Sequence, residues 1–241
     1  MGWGLSTSSF RADRLTRSLA RILARGGVDT LALAPEAGSK RLRECIGKGL
    51  SERAILDAAQ AAGEGGLRQL RLYFMFGLPF EEWEDVEAIP RLTYAVYERF
   101  RKAGGKRLSV TLTPFVPKAA TPFQWCPMDR RDVLKEKLHR MEGEIRQLGL
   151  RVGQVSMRMA LLQGLLSMGD RKVGMGLYYH AVRGVGWRSA WRQVGVDPAW
   201  YIHRWKEKDE MLPWDFIVHV TGKEMLWKEY ENARARACCR S

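Results

Sequence analysis

The alternation of short apolar runs with amphipathic stretches most constrains how this chain can fold, and it recurs from residue 4 to residue 125. Residues 30–34, 70–76 and 106–116 have the composition of strands, and each run ends at a proline or a Gly-Leu-Pro turn. A further run is cut short by the chain start. Strands alternating with helices are typical of βα units with a parallel sheet. We therefore predict an α/β domain of about four parallel strands over residues 1–128, with residues 70–76 fully buried.

Beyond residue 128 the pattern changes to helices. Apolar residues recur at helical spacing from residue 134 to residue 148, and six of the nine tryptophans lie in the last 55 residues. We predict a mainly helical carboxyl-terminal extension over residues 129–241. The tryptophans favour a small aromatic core in this extension over a ligand cage. The α/β stretch itself is too short for a closed eight-fold barrel, which needs about 250 residues.

Composition and charge limit the classes of partner that this chain is expected to bind. The chain carries a net charge of +13, but its basic residues are spread along 241 positions and form no dense block. Such a spread favours solubility over a dedicated nucleic-acid stripe, so nucleic acid stays an alternative partner that charge alone does not favour. The longest apolar run, residues 72–80, is far shorter than the roughly 20 residues that span a bilayer. Four scattered cysteines agree with a reducing compartment, and we expect a cytoplasmic protein without membrane contact.

Polar residues follow the predicted strands, at the edge where parallel α/β sheets bind ligands. Glu36 is the most informative of them. A carboxylate at a strand end can accept hydrogen bonds from hydroxyls or an amine, and Gly38 beside it would let a ligand approach the backbone. The alternative is that Glu36 is a helix N-terminal charge or forms an ion pair with Lys40 or Arg41.

Three strings of residues occur in order along the chain. Residues 35–43 read Pro-Glu-Ala-Gly-Ser-Lys-Arg-Leu-Arg, residues 72–79 read Leu-Tyr-Phe-Met-Phe-Gly-Leu-Pro, and residues 115–125 begin Phe-Val-Pro-Lys. Together they resemble the radical S-adenosylmethionine (SAM) superfamily, specifically an uncharacterised branch often fused to an upstream cobalamin-binding domain. The resemblance is strong over about residues 5–128.

The resemblance implies a partial (βα)6 barrel, here incomplete. In the superfamily a [4Fe–4S] cluster is held by a Cys-x3-Cys-x2-Cys loop after the first strand, and SAM lies across the barrel top. Ser9 and Arg11 would then lie near the SAM ribose or methionyl group. Glu36 and Ser39 would face SAM or substrate, with Gly38 between them, and Gly77 would let the adenine lie against backbone. The resemblance does not name the substrate.

The chain departs from the superfamily pattern at the cluster. A Cys-x3-Cys-x2-Cys loop needs three closely spaced cysteines, and Cys45 and Cys126 are far from each other and from the adjacent pair Cys238 and Cys239. That pair alone cannot supply the three converging thiolates that a cluster needs. We therefore expect no metal ligands in this chain and weakened SAM binding.

Three explanations stay open for a chain without cluster ligands. The first is that the chain is the carboxyl-terminal part of a longer radical SAM enzyme and is inactive alone. The second is a non-catalytic subunit that pairs with a separate chain carrying the missing amino-terminal half and its cluster. The third is an RNA-contacting relative of the transfer-RNA methylthiotransferases.

Overall fold

The computed structural model describes residues 7–154, 156–218 and 220–238. A four-stranded parallel sheet forms its centre, with strands in the order β1-β2-β3-β4. This confirms the predicted α/β class with about four parallel strands. The strands are β1 Thr30–Glu36, β2 Gln69–Phe76, β3 Arg107–Pro114 and β4 Arg151–Gln154.

Three of these strands coincide with predicted runs, and the fourth does not. The run at the chain start contributes one bridge, in which the Phe10 N–H donates to the Ala32 carbonyl at 2.8 Å beside β1. The earlier part of that run, residues 1–6, lies outside the described residues. The fourth strand is β4, which pairs with β3 inside the segment predicted to be helical. Four residues are too few to show a strand period, so the sequence did not reveal it. The division at residue 128 stays a prediction.

Helices connect the strands and form the rest of the described chain. The side chains of Thr16, Ser39 and Ser51 cap the first three by accepting backbone N–H bonds. None of the described helices is long and apolar enough to cross a membrane. They are α1 Arg17–Arg25, α2 Lys40–Cys45, α3 Glu52–Glu64, α4 Trp83–Lys102, α5 Arg131–Gln147, α6 Met157–Met168, α7 Arg171–Arg183, α8 Trp187–Gln193, α9 Pro198–Ile202 and α10 Lys223–Cys238.

The sheet buries one face more completely than the other. Alternate strand residues, such as Leu31, Leu72 and Val110, are fully buried in the main core. The residues between them are half-buried or exposed, as at Arg71 and Tyr73 of β2. The prediction that residues 70–76 are fully buried is therefore wrong at alternate positions. Within the described chain, the second face is only partly covered.

The carboxyl-terminal helix packs back onto the α/β part. Residues of α10, including Tyr230, join Cys45 of α2 and Trp125 in a second buried cluster. Trp125 meets Trp227 edge to face, with ring centroids 5.0 Å apart. Some tryptophans of the extension therefore supply core, as predicted. Others, such as Trp200, remain exposed.

The loop between β1 and α2 lies directly against α4. A Cβ added at Gly38 would lie 2.4 Å from the Ile89 backbone nitrogen and 2.6 Å from the Ala88 carbonyl carbon. Neither backbone atom can move without displacing the helix. Gly38 is therefore a packing glycine, and its open side faces α4.

We expect Gly38→Ala to lower the free energy of unfolding by about 1–3 kcal/mol or more, because the new methyl group collides with helix backbone. Gly143 is the matched control, since it lies on α5 with nothing within 4 Å of an added Cβ. Gly143→Ala should stabilise the protein by about 0.5–1 kcal/mol through helix propensity. Urea unfolding followed by circular dichroism measures both. Equal effects of the two substitutions would contradict the packing role.

Candidate functional site

A cavity of about 490 Å³ lies on the less covered face of the sheet. We call its strand residues the open face. Small or polar side chains line much of it, in contrast to the large apolar residues that alternate with them on the buried face. The open face consists of Thr30, Ala32, Ala34 and Glu36 of β1 with Arg71 and Tyr73 of β2. Short side chains on β1 leave room for a ligand against the strand.

Glu36 ends β1 in a conformation that non-glycine residues rarely adopt. Its φ is +70°, and the pairing of β1 with β2 shifts register between Leu33 and Glu36. Such a left-handed conformation costs of order 1–3 kcal/mol and is often found at functional sites. The Lys48 Nζ lies 3.1 Å from Glu36 Oε1. Lys48 is thus the ion-pair partner of Glu36, in place of the Lys40 or Arg41 considered from the sequence.

Lys40 and Arg41 have other partners. The Lys40 Nζ lies 3.6 Å from Glu44 on the same helix. Arg41 forms an ion pair with the buried carboxylate of Asp85 and donates to the Phe80 carbonyl at 2.9 Å. Glu36 therefore keeps one carboxylate oxygen, Oε2, without a hydrogen-bond partner in the described part of the chain.

Ser9 and Arg11 were predicted to act together, and the structure separates them. Ser9 lines the cavity with Glu36. Arg11 does not line it, because its Nε and Nη2 both donate to the Asp13 carboxylate at 3.1 Å. This hydrogen bond lowers the pKa of Asp13. Arg11 would have to leave Asp13 to reach a ligand.

Gly38 and Ser39 hold the loop, which differs from the ligand roles predicted for them. Gly38 faces α4, as described above. The Ser39 hydroxyl accepts the Leu42 N–H at 3.0 Å and donates to Asp85. Both hydrogen-bonding functions of this hydroxyl are thus used within the protein. Ser39 follows the end of β1, and its side chain caps α2, a role that the turn at Gly38-Ser39 also indicated in the sequence.

Gly77 follows β2 with a φ of +69°, a conformation that favours glycine. A Cβ added there would lie 2.7 Å from Leu134 Cδ2 and 3.2 Å from Asp129 Oδ2. The Gly77 N–H donates to Glu81 Oε2 at 2.7 Å. The backbone of Gly77 is therefore packed by protein atoms on this side, where adenine was expected.

The sequence did not reveal a buried ionic cluster beside Gly77. The Lys137 Nζ lies 2.8 Å from Glu81 Oε2 and 2.7 Å from Asp129 Oδ2. The Glu81 side chain is 1% exposed, and its Oε1 has no hydrogen-bond partner among the residues that the structure describes. Burial raises the pKa of Glu81, although the ammonium of Lys137 opposes the shift. One signal was available, because Lys137 interrupts the apolar stripe of α5 three residues after Leu134.

Cys45, Cys126 and Cys238, the cysteines among the described residues, do not form a metal site. Among the described residues, no three His, Cys, Asp or Glu side chains lie close enough to hold a metal ion. Burial raises the pKa of Cys45 to about 11 and that of Cys126 to about 12, so both are neutral thiols near neutral pH. The Cys45 Sγ donates to the Ala233 carbonyl at 3.2 Å. These residues do not fit a [4Fe–4S] cluster, whose ligands are thiolates.

The chain is similar to known proteins over the part that contains the residues lining the cavity. Residues 2–93 match the family model described as the radical SAM superfamily. An uncharacterized protein of Methanocaldococcus jannaschii is 37% identical over 179 residues, which cover 74% of this chain and 38% of that protein. An uncharacterized methyltransferase of Pyrococcus horikoshii is 35% identical over 82 residues, or 34% of this chain and 18% of that protein. The chain therefore spans well under half the length of either relative. The association with a cobalamin-binding domain stays a prediction.

We expect Lys137→Met to lower the free energy of unfolding by about 3–5 kcal/mol at neutral pH, because it leaves Glu81 buried without its counter-charge. Glu81 has a folded-state pKa above its ordinary value of 4.5, so protonating it relieves the cost of burial. The loss should therefore be small near pH 4 and grow as the pH rises. Urea unfolding at several pH values measures this dependence. Lys135→Met, an exposed change on the same helix, is the control and should have little effect.

Proposed function

Because residues 2–93 belong to the radical SAM superfamily, we propose that the open face is the part of a radical SAM active site that holds S-adenosylmethionine. The observation that carries this proposal is the cavity of about 490 Å³, which Glu36 and Ser9 both line. In radical SAM enzymes, reductive cleavage of SAM supplies a carbon-centred radical that abstracts hydrogen from the substrate. The protein contributes binding, orientation and exclusion of water.

The donor and acceptor groups of the open face suit the polar parts of SAM. The free Oε2 of Glu36 can accept a hydrogen bond from a ribose hydroxyl or from the amino group, and the Ser9 hydroxyl can donate or accept. The left-handed backbone of Glu36 fixes the carboxylate at the strand end before a ligand arrives. Ala32 and Ala34 allow the ligand to approach β1 closely. The proposed fit to SAM thus rests on three features of β1 and on the Ser9 hydroxyl beside it.

The [4Fe–4S] cluster is a different case, because the residues of this chain do not fit it. We therefore propose that the cluster ligands come from outside this sequence, either from a longer form of the same protein or from a separate subunit. The short coverage of both relatives supports this origin. Substrate and partners are likewise proposals, and contact with transfer RNA rests on the net charge of +13 alone.

Glu36→Gln tests the assignment of the open face. We expect SAM to bind this chain weakly, and the substitution to raise the dissociation constant about tenfold, because the amide removes the negative charge that strengthens the hydrogen bond to the ligand. Saturation-transfer NMR on the adenosine protons measures binding at millimolar ligand. Glu44→Gln is the control, since Glu44 is an exposed carboxylate of α2 outside the cavity. No transfer to the unmodified chain, or equal weakening by both substitutions, would contradict the proposal.

Anaerobic reconstitution with iron and sulfide tests the origin of the cluster. We expect this chain to bind substoichiometric iron and to lack the charge-transfer absorbance of a [4Fe–4S] centre. Chemical analysis of iron and sulfide measures the content per chain. Four irons and four sulfides bound per chain would show that our reading of the cysteines is wrong, while leaving the result for Glu36 intact.

A further inference from the structure

A second cavity, of about 470 Å³, lies among the helices that follow the sheet. Residues of α6, α8 and α9 and the first residue of α5 line it, and it opens to solvent. Its volume falls in the range of small-molecule sites, and such sites are mostly apolar with a few polar groups. The apolar wall consists of Leu161, Leu162, Leu165, Trp187, Trp191 and Ile202.

The aromatic part of this wall is held in place before any ligand binds. The Trp187 and Trp191 rings are stacked, with centroids 5.3 Å apart, and Trp187 also stacks on His180 at 3.6 Å. The Trp191 ring packs against Gly176. A larger residue there would collide with the ring, because an added Cβ would lie 2.2 Å from it. A preformed aromatic wall lowers the ordering cost of binding a flat apolar group.

The polar groups of the cavity are mainly cationic. Arg131 and Arg158 line it, and within the described part of the chain neither has an acidic partner within salt-bridge distance. Asp197 also lines it, but its Oδ1 accepts the Ala199 N–H at 3.0 Å and so caps α9. The His203 Nδ1 lies 2.8 Å from the Met128 carbonyl oxygen, to which it donates. Two guanidinium groups therefore remain to meet a ligand, together with the Oδ2 of Asp197 and the Nε2 of His203.

We propose that this cavity binds an aromatic carboxylate. The stacked tryptophans complement an aromatic body, which gains from offset or edge contacts with their rings. The guanidinium of an arginine can donate two parallel hydrogen bonds to the two oxygens of a carboxylate. The proposal is independent of SAM binding at the open face, because the two cavities share no lining residue.

Other ligand classes fit the same residues less well. An organic cation of equal shape would meet two guanidinium groups of like charge. A neutral aromatic molecule would pack against the apolar wall, but both arginine side chains would then be hydrogen-bonded only to water. A polyphosphate or nucleic-acid backbone would satisfy the arginines and leave the apolar wall unfilled. Only a ligand with both parts uses the whole cavity.

Isothermal titration calorimetry of the full chain with phenylbutyrate, phenylbutyramide and butyrate tests the proposal. The amide keeps the shape and removes the charge, whereas butyrate keeps the charge and removes the ring. We expect phenylbutyrate to bind about tenfold or more tightly than either, because each analogue loses one of the two contributions. An amide that binds as tightly as the acid, or no binding of the acid, would overturn the proposal.

Substitutions then locate the binding. Arg131→Gln and Arg158→Gln should each weaken phenylbutyrate binding about fivefold or more and leave the amide unchanged. Arg188→Gln is the matched control, since Arg188 is an exposed arginine of α8 that does not line the cavity. Equal weakening by all three substitutions would show a non-specific effect of net charge and overturn the assignment to this cavity.

Discussion

The structure depends on a parallel sheet that is well covered on one face only. Parallel sheets are ordinarily buried on both faces, because the connecting helices pack against them. Here α3 and α4 contribute apolar side chains such as Ile55 and Val96 to the buried face. The open face instead presents Thr30, Ala32 and Ala34. These residues contribute little to a core, so the stability of the sheet rests on its other side and the open face is left for binding.

The polar residues near the carboxyl ends of the strands have two kinds of role. Asp85 and Glu81 lie deep in the protein, where an unpaired carboxylate would be strongly destabilising. Each is paired with a cation from another element, and each also accepts a backbone N–H, from Glu82 and from Gly77 respectively. These buried groups fix the loops after β1 and β2. Glu36 is exposed enough to meet a ligand, and its companion Lys48 leaves one oxygen free.

Much of the fold follows from the sequence, because β1, β2 and β3 are long enough to show their composition. Gly77 follows β2 and Pro114 ends β3, whereas β1 continues through Pro35 to Glu36. β4 could not be recognised, since its four residues show no period and its pairing depends on β3. Glu36 and Gly77 lie at the ends of β1 and β2, as the sequence indicated, but the sequence did not predict the direction of each side chain. The resemblance assigned Arg11 to a ligand, whereas its side chain pairs with Asp13, a partner two residues away that gives no periodic signal in the sequence.

The remaining roles depend on tertiary packing, which a single sequence does not display. Gly38 and Gly77 read equally well as sites of ligand approach or of close packing, and the choice is made by α4 and by Leu134. The tryptophans of the extension present the same ambiguity. Trp214 is buried and its Nε1 donates to Gln124 Oε1 at 2.7 Å, whereas Trp187 lines a cavity. Residue type alone does not separate these outcomes.

The strained backbone of Glu36 needs compensation, and Arg43 supplies it. Arg43 is fully buried, and its guanidinium donates to the carbonyls of Leu50, Ala37 and Gly38 at 2.7, 3.2 and 2.6 Å. Burial lowers the pKa of Arg43, yet a guanidinium starts so high that it stays charged near neutral pH. Hydrogen bonds from a charged donor are stronger than neutral ones. Two of them, to Ala37 and Gly38, are on the loop that follows Glu36, and the third ties this loop to Leu50 before α3, so together they hold the backbone that carries the Glu36 carboxylate.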